Sequence, residues 1–246
     1  MAQIFEVGGC VRDKLLGQKP NDIDFTFVLE RANKMSVGFG FRVMKTWLEQ
    51  EGFEIFLATE ECFTIRAKFP KSHERAGQVA DFVLARKEVG YVEGTRRPIL
   101  ELGTLEDDLV RRDFTVNAMA FDEDGNLIDL FNGVQHLKEK VLRTPLRPAK
   151  TLLDDPLRLL RAMRFSITKG FEIEEGIWTA VIDNPEIMTK LGEVVSGERI
   201  REELMKMFKH DTLTSLLLLR EANFMVPNLN EILFANGLWL QPTFKS

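Results

Sequence analysis

Two aspartates that are two residues apart, Asp22 and Asp24, are the residues whose type and spacing most directly suggest chemistry. They lie in NDIDFTF, a segment with the composition of a β-strand. Because side chains alternate along a strand, both carboxylates would share one face and the apolar side chains the other. Neighbouring carboxylates repel each other unless a divalent cation binds them, and hard oxygen ligands suit Mg2+. The pair therefore predicts a Mg2+ site, although aspartates that only end a turn are common.

A glycine pair precedes these aspartates. Gly8 and Gly9 follow a short apolar segment and come before VRDKLLG, which has helical periodicity. Backbone N–H groups at such a turn, together with the helix dipole, favour a bound phosphate. Arg12 adds a positive charge in the first helical turn. Glycine pairs also form ordinary tight turns, so it is the combination that predicts a phosphate-binding turn beside a metal site.

The elements that would position these residues change in kind along the chain. The first half alternates between strand composition, as in IFEV and VADFVLARKE, and helical periodicity, as in residues 42–51. NAMAF and LIDLF flank an Asp-Gly turn and predict a hairpin. From about Thr151 apolar residues recur at helical spacing almost throughout. The expected fold class is α+β, a small mixed sheet followed by helices, with the change near residues 138–153.

The composition is that of an ordinary globular protein. Its 246 residues, 44% of them hydrophobic, can form one large core or two smaller ones without disulfides. The sequence contains neither a membrane-spanning apolar stretch nor a recognisable signal peptide, so we expect a cytoplasmic protein with no membrane partner. Cys10 and Cys62 lack the spacing of a metal site, and we expect both to be reduced and partly buried.

The charge balance limits the ways in which the chain can bind nucleic acid. A net charge of −5 argues against a broadly basic, non-specific binder, because counterion release requires clustered cations. Positive residues do cluster locally, as in the segment from Arg66 to Arg75. The ordinary interpretation of such a cluster is a solvated face.

Five segments, in one order, resemble the motifs of the class II tRNA nucleotidyltransferase and poly(A) polymerase family, within the polymerase beta-like superfamily. GGCVRDKLLGQKPNDIDF resembles the GGxVRD and DxD signature, LEDDLVRRDFTVNAMAF the second motif and DGNLIDLFNG the third. DDPLRLLRAMRF resembles the fourth motif and SGERIREEL the fifth. The resemblance implies an enzyme that transfers a nucleoside monophosphate from CTP or ATP to an RNA 3' end, with tRNA as the expected acceptor and pyrophosphate as the leaving group.

The resemblance also implies a division of the chain. Residues 1–137 would form the catalytic head, residues 138–209 a helical neck that selects the nucleotide, and residues 210–246 a short helical C-terminal extension. Full-length family members carry further helical regions that grip the tRNA, whereas little sequence follows the fifth motif here. A compact enzyme, a smaller RNA substrate and a homodimer are three explanations that stay open.

Each motif of the head would have a role. Asp22 and Asp24 would hold the Mg2+ ions of a two-metal transfer, and Asp81 is the positional candidate for a third carboxylate. An alternative interpretation pairs Asp81 with Arg86 in a salt bridge. The triphosphate and sugar would be bound by Gly8, Gly9, Arg12, Arg112 and Asp113.

Two neighbours of these residues have structural alternatives. Arg111 is interpreted as a salt-bridge partner rather than a ligand of the nucleotide. Asn117 either forms hydrogen bonds with the site or satisfies a buried turn, and the sequence does not separate these roles.

Nucleotide choice is expected to come from the segment DDPLR. Cytosine and adenine both present a ring-nitrogen acceptor beside an amino donor, so a carboxylate and a guanidinium together can accept them and reject uracil and guanine. Asp155 and Arg158 have this chemistry, although Asp155 before Pro156 is also typical of a helix N-cap.

The resemblance extends this assignment along the segment. It implies a template formed by Asp154, Asp155 and Arg158, with Arg161 and Arg164 binding the nucleotide from the next helical turns. The family usually has Glu where this chain has Asp154, which shortens the reach by one methylene. Residues 198–204 are interpreted as mainly structural, supporting the template helix.

Two other functions stay open. A poly(A) polymerase of the same family would add adenylates to general RNA, but RRDFTVNA favours the tRNA enzyme because the bacterial poly(A) enzymes tend to have NS in place of NA. A regulatory pseudoenzyme would bind a nucleotide without turnover. The intact Asp22, Asp24, Arg112 and Arg158 argue against the pseudoenzyme.

Overall fold

The computed structural model of the protein describes residues 2–20, 22–29, 35–91 and 98–235. The chain divides into two compact units, residues 1–137 and residues 138–246. Within the described ranges, none of the helices has the length and apolar character needed to cross a membrane.

The first unit combines strands and helices. In chain order its elements are β1 (Ala2–Val7), α1 (Gly9–Leu15), β2 (Asp24–Leu29), α2 (Val37–Gln50), β3 (Glu54–Thr59), β4 (Thr64–Lys68), β5 (Val79–Leu84), β6 (Arg86–Tyr91), β7 (Pro98–Leu102), α3 (Leu105–Val110), β8 (Met119–Phe121), β9 (Leu127–Asp129) and α4 (Gly133–Glu139), which ends just beyond the unit boundary. Short 3-10 turns span Glu60–Cys62 and Thr115–Asn117.

Seven of the described strands form one mixed sheet, in the order β3-β4-β5-β2-β1-β8-β9. Strands β2 and β5 run parallel, and the other neighbouring pairs are antiparallel. This arrangement confirms the expected α+β class with a mixed sheet. Because β1, β2 and β5 are adjacent at the centre of the sheet, residues at the ends of these strands lie close together.

The two faces of β2 differ as its sequence predicts. Phe25 and Phe27 are buried in the main core, where Phe25 stacks on Phe82 of β5 with 5.1 Å between the ring centroids. Alternation along the strand places Asp24 and Thr26 on the opposite face. The core therefore anchors β2 through its phenylalanines and leaves the other face for polar contacts.

One predicted strand is in fact two. The sequence predicts a single strand over VADFVLARKE, whereas the structure divides it at Ala85 into β5, which joins the main sheet, and β6, which pairs with β7. The N–H of Ala85 still donates to Phe27, while its carbonyl accepts from Gly103. A Cβ at Gly103 would lie 2.8 Å from the backbone of Arg86, so this close approach requires glycine. The predicted hairpin of NAMAF and LIDLF is confirmed, because β8 pairs with β9.

The second unit is mainly helical, as the sequence predicts. Its elements are β10 (Val141–Leu142), α5 (Pro148–Asp154), α6 (Leu157–Lys169), β11 (Glu172–Ile173), α7 (Glu175–Asp183), α8 (Pro185–Glu193), α9 (Gly197–His210), α10 (Thr212–Met225) and α11 (Leu229–Phe234). Helices α6 and α9 pack against each other. Their buried side chains include Leu160 and Met163 of α6 and Leu204 and Met207 of α9. Residues after 235, which belong to the predicted C-terminal extension, lie outside the described residues.

Candidate active site

Gly8 and Asp24 meet where β1 ends and β2 begins. These strands are antiparallel with Val7 opposite Asp24, so the residue after Val7 lies beside the aspartate. A Cβ built on Gly8 would lie 3.7 Å from Oδ2 of Asp24 and 2.7 Å from Nη1 of Arg112. The φ of Gly8 is 82°, a conformation that other residues rarely adopt. The backbone conformation therefore favours glycine, and a Cβ at this position would push the Arg112 guanidinium aside. A turn, a carboxylate and an arginine thus lie at one point.

Arg112 is held at this point by Asp108 of α3, a residue that the sequence analysis missed. Its Nη2 donates to Oδ2 of Asp108 at 2.8 Å, and the hydroxyl of Thr26 donates to the same oxygen at 2.7 Å. Arg111 donates to Oδ1 at 3.0 Å, so its interpretation as a salt-bridge partner is confirmed. An acid followed at i+3 and i+4 by two arginines was the available signal, since such residues adjoin on a helix.

The charge of Asp108 is stabilised within the protein. Burial alone would raise its pKa, but the charges of Arg112 and Arg111 and the hydrogen bonds from Arg112 and Thr26 lower that pKa to about 2. The pKa of Arg112 is raised, because burial is outweighed by the charge and hydrogen bond of Asp108. Asp108 therefore joins β2 to an arginine that stays charged beside the Gly8 turn.

Helix α3, which carries Asp108, is only six residues long and has a capping box at its start. The hydroxyl of Thr104 accepts from the N–H of Asp107 at 3.2 Å, and the Asp107 carboxylate accepts from the N–H of Thr104 at 2.8 Å. These reciprocal bonds satisfy donors that the first turn leaves unpaired.

The ionised form of Asp24 is not fully stabilised by the positive charge around it. Burial raises its pKa and the charges of Asp81 and Asp22 raise it further, while Arg112 and Arg66 oppose the shift without cancelling it. A carboxylate whose ionised form the protein does not fully stabilise is well suited to bind a cation from solution.

Asp81 lies beside Asp24 across the parallel strands, and its partner is Arg66. Asp24 and Asp81 are register partners, as are Arg66 and Asp81 on the antiparallel pair of β4 and β5. The guanidinium donates from Nε and Nη2 to the two carboxylate oxygens at 2.7 Å and 2.6 Å. Arg86, the partner considered from the sequence, instead donates to the carbonyl of Cys62 at 2.7 Å.

Asp22 is exposed and precedes the strand. The sequence predicts both aspartates within one strand, whereas β2 begins at Asp24 and Asp22 lies in a bend before it. Asp22 and Asp81 both line a cleft of about 400 Å3. The other residues of this cleft are Lys19, Pro20, Ile23, Arg66, Gln78, Val79 and Ala80.

The donor set fits a divalent cation that arrives with a phosphate ligand. Among the described residues, no group of three or more acidic, histidine or cysteine side chains is arranged to hold a metal ion by itself. Asp24 is short of positive charge, Asp22 is exposed beside it, and Asp81 is engaged by Arg66. Small divalent cations are often bound by only one or two carboxylates plus substrate phosphates. Two carboxylates beside a glycine turn match that description.

Arg12 and Asp113 belong to a buried network behind the turn. Arg12 donates from Nε to Asp13 at 2.9 Å and from Nη1 to Asn117 at 2.6 Å. The amide of Asn117 donates to Asp113 at 2.9 Å, and Asp113 also accepts the N–H of Phe114 at 2.8 Å. The network ties α1 to the segment after α3, so Asn117 satisfies a buried turn and supports the site at once.

The two cysteines differ in exposure. Cys10 is buried, donates its thiol to the carbonyl of Val7 at 2.9 Å, and has its pKa raised by burial to about 11. Cys62 is exposed, so the expectation that both thiols are partly buried is wrong for this residue. Cys62 is the last residue of a short 3-10 turn at the surface, a location that its sequence neighbours do not reveal.

The second unit contains the predicted template residues at the junction of α5 and α6. Asp154 is exposed at the end of α5, and Asp155 follows in an extended conformation. Asp155 accepts the N–H of Leu157 at 3.2 Å, which is a cap-like bond, and its other oxygen accepts from Arg199 of α9 at 3.0 Å. Arg158 donates to the carbonyl of Thr151 at 3.2 Å.

Arg161 and Arg164 converge on one buried acid. The Nε of Arg164 donates to Glu203 of α9, and Nη1 of Arg161 lies 3.9 Å from the same carboxylate. The Arg164 guanidinium also lies over the ring of Phe165, 4.1 Å from its centroid. Together with the contact of Arg199, these bonds confirm that the segment from 198 to 204 supports helix α6.

Comparison with known proteins agrees with this fold. Residues 4–143 match the Poly A polymerase head domain family. The chain is 34% identical to a CCA-adding enzyme of Lactobacillus helveticus over 207 residues, which is 83% of this chain and 46% of the relative. It therefore spans about half the length of the curated relatives that it matches.

Solved structures give the same result. A crystal structure of the Bacillus stearothermophilus CCA-adding enzyme in complex with CTP is 26% identical with a TM-score of 0.70, covering 93% of this chain and 50% of the other. A tRNA nucleotidyltransferase complexed with a primer tRNA and an incoming ATP analog is 28% identical with a TM-score of 0.67, over 91% and 58% of the two chains. The chain belongs to the class II CCA-adding enzyme and poly(A) polymerase family of nucleotidyltransferases, and this family generally depends on divalent metal ions.

Proposed function

We propose that the protein is a template-independent RNA 3'-end nucleotidyltransferase that adds CMP and AMP from CTP and ATP to tRNA and releases pyrophosphate. The observation that carries the proposal is the meeting of the Gly8 turn, the Asp24 carboxylate and the Arg112 guanidinium at one point of the sheet. The relatives named for CCA addition, and the similar structures with CTP, an ATP analog and tRNA, support this choice of substrates.

Asp22 and Asp24 would hold Mg2+, since both are carboxylates and Asp24 is short of positive charge. When bound, Mg2+ supplies activation of the RNA 3'-hydroxyl and charge stabilisation of the pyrophosphate leaving group. Asp81 would be the third carboxylate, since it is the register partner of Asp24 on the parallel strand.

The triphosphate would lie along the turn of Gly8 and Gly9. The backbone there is open because Gly8 has no side chain, and Arg112 adds a fixed positive charge. Arg12 and Asp113 would support the turn indirectly, since their bonds to Asn117 hold α1 and the turn in place. Electrostatic groups that are already in position stabilise developing charge without reorganising.

Base selection is assigned to the second unit. Asp155 and Arg158 would read the amino group and ring nitrogen that cytosine and adenine share, with Asp154, Arg161 and Arg164 completing the nucleotide-binding set. Asp155 already accepts two hydrogen bonds, but an ionised carboxylate has about four acceptor sites and so can accept the base amino group as well.

The decisive experiment offers two acceptors to the protein with Mg2+ and each labelled nucleotide in turn. One acceptor is a tRNA lacking its last three nucleotides, and the other lacks only the final A. Stepwise addition that stops at CCA supports the proposal, and Asp24→Asn should abolish it. Open-ended addition of A would identify a poly(A) polymerase, and no addition to either acceptor would identify a nucleotide-binding regulator.

A further inference from the structure

Arg66 is a basic residue in contact with the candidate metal site that lies outside all five motif segments. Its guanidinium holds both oxygens of Asp81, at 2.7 Å and 2.6 Å. Asp81 is in turn the register partner of Asp24. Three adjacent strands therefore carry Asp24, Asp81 and Arg66 in one row across the sheet.

This pairing determines how many carboxylates are available to a cation. Because the Arg66 guanidinium neutralises the charge of Asp81, the acids whose negative charge remains for a metal ion are Asp22 and Asp24. Opening the pair would release a third carboxylate from the strand next to Asp24. Affinity for hard divalent cations rises with the number of charged ligands, so the Arg66 to Asp81 pair sets the strength of the site.

The pair is also placed so that it can open. The Arg66 side chain is 48% exposed and that of Asp81 is 24% exposed, and ion pairs in such settings are weak. Both residues line the cleft of about 400 Å3, which Lys19 also lines. A guanidinium binds a phosphate in the same two-pronged geometry as a carboxylate. A phosphate that entered this cleft would therefore compete directly with Asp81 for Arg66.

We propose that Arg66 keeps Asp81 out of the metal site until an RNA backbone phosphate in the adjacent cleft draws the guanidinium away. The inference rests on the proposed function, since it assumes that Asp22 and Asp24 bind a divalent ion and that RNA is the acceptor. Arg66 is a positioning residue in this scheme, because it acts on the metal site through Asp81. Full metal binding is thereby coupled to the arrival of the RNA end.

The first test measures Mn2+ binding to the full chain without nucleotide or RNA, by electron paramagnetic resonance of the free ion. Mn2+ is a suitable probe because it prefers the same oxygen ligands as Mg2+. Arg66→Met keeps the length of the side chain and removes its charge. Because Asp81 is then released, this variant should bind Mn2+ at least about fivefold more tightly than the wild type.

Two further variants distinguish the release of Asp81 from a general loss of positive charge. Lys68→Met removes a neighbouring cation of β4 that pairs with Glu54 rather than Asp81, and it should change the Kd by less than about twofold because exposed charges are screened. The double variant Arg66→Met with Asp81→Asn should bind Mn2+ no more tightly than Asp81→Asn alone. The proposal is overturned if Arg66→Met matches Lys68→Met, or if its tightening persists without Asp81.

The second test measures the reciprocal effect on RNA in EDTA, with fluorescence anisotropy of a labelled oligoribonucleotide that ends in CC. Asp81→Asn frees the guanidinium for phosphate and should tighten RNA binding by about threefold. Asp22→Asn removes a nearby negative charge without freeing Arg66, so it should tighten binding less. Equal effects of the two variants, or tightening by Asp81→Asn that survives in the Arg66→Met background, would contradict the assignment of the cleft to a phosphate.

The failure of this inference is distinguishable from the failure of the proposed function. Suppose that wild-type protein binds Mn2+, that Asp24→Asn does not, and that Arg66→Met leaves the affinity for Mn2+ unchanged. This result would support the metal site and contradict the role of Arg66. If wild-type protein neither binds Mn2+ nor extends tRNA, the proposed function itself is contradicted. Circular dichroism melts of each variant show whether a change in affinity comes from loss of the fold.

Discussion

The candidate sites of the two units differ in how their charges are balanced. In the first unit, Asp24 stands among other carboxylates, and the nearby arginines do not offset the rise of its pKa that burial and these acids cause. In the second unit, Asp155 is bonded to Arg199 and Arg164 is bonded to the buried Glu203. The first site is thus suited to receive a cation, whereas the second is suited to hold its side chains in fixed positions.

This difference in charge balance predicts which substitutions lower activity and which lower stability. A carboxylate that the fold does not fully stabilise is expected to matter for chemistry and to cost stability, whereas internally paired groups contribute to the fold and act on the substrate through geometry. Substitution of a carboxylate that the fold does not fully stabilise should therefore lower activity without lowering stability, whereas substitution of a buried, internally paired group should lower stability as well.

The largest effect is expected for Asp24→Asn. Nucleotide incorporation should fall by more than about a thousandfold, because metal-ion stabilisation of the transition state is worth several kcal/mol. The folded-state pKa of Asp24 is raised, so ionisation at neutral pH opposes folding and the neutral amide should leave the Tm unchanged or higher. Gel-based incorporation and thermal melts measure the two quantities. Asp124→Asn, in the exposed β8–β9 turn, is the matched control and should change neither. A lower Tm for Asp24→Asn would contradict the comparison.

Asp108→Asn should have the next largest effect, on stability as well as on activity. Removing the buried charge that pairs with Arg112 and Arg111 leaves the partly buried Arg112 guanidinium without its partner and should cost about 3 kcal/mol of unfolding free energy at pH 7. Because the folded-state pKa is lowered to about 2, this contribution is complete above the ordinary value of 3.8 and is lost as the pH falls from there toward about 2.

Urea unfolding at several pH values measures this dependence. The difference between wild type and Asp108→Asn should shrink below about pH 4, whereas Glu106→Gln, on the exposed side of the same helix, should show little difference at any pH. If the difference in unfolding free energy between wild type and Asp108→Asn stays constant down to pH 2, the charge of Asp108 is not the cause of that difference.

The smallest effect is expected in the second unit, for Arg199→Met. The pair with Asp155 is partly exposed, so its loss should change the unfolding free energy by less than about 0.5 kcal/mol. The freed carboxylate can rotate, and preference for CTP over UTP should fall by about fivefold. Competition between labelled nucleotides measures this preference. Arg220→Met, an exposed arginine of α10, serves as the control. Unchanged preference in Arg199→Met would remove the positioning role from Arg199.

Local sequence patterns predicted the parts of the first site that depend on neighbouring residues. The Gly8 turn and the acidic start of β2 follow from glycine conformation and from strand alternation, and both are found near the expected positions. The pairing of Asp81 with Arg66 could not be predicted in this way, because it depends on the register of β4 against β5. Strand β4 was not among the strands predicted from the sequence, and the partner predicted for Asp81, Arg86, lies on the same segment as Asp81.

The same limit explains the missed acid and the divided strand. Asp108 has a local spacing to two arginines, but its bond to Thr26 joins residues that are far apart in sequence. VADFVLARKE has uniform strand composition, and the exchange of partners at Ala85 depends on the approach of Gly103. In the second unit, helical periodicity predicted the elements well, while the bond between Arg199 and Asp155 required the packing of α9.

The brevity of α3 has a consequence for how the protein tolerates sequence change. Six residues are too few for a helix to persist through intrinsic propensity, so α3 relies on the packing of its buried residues and on the reciprocal bonds of Thr104 and Asp107 at its first turn. The exposed Thr104 therefore helps to determine the position of the Arg112 guanidinium, because it caps the helix that carries Asp108. Under the proposed function, mutation of Thr104 is therefore expected to lower the affinity for the incoming nucleotide through a displaced Arg112.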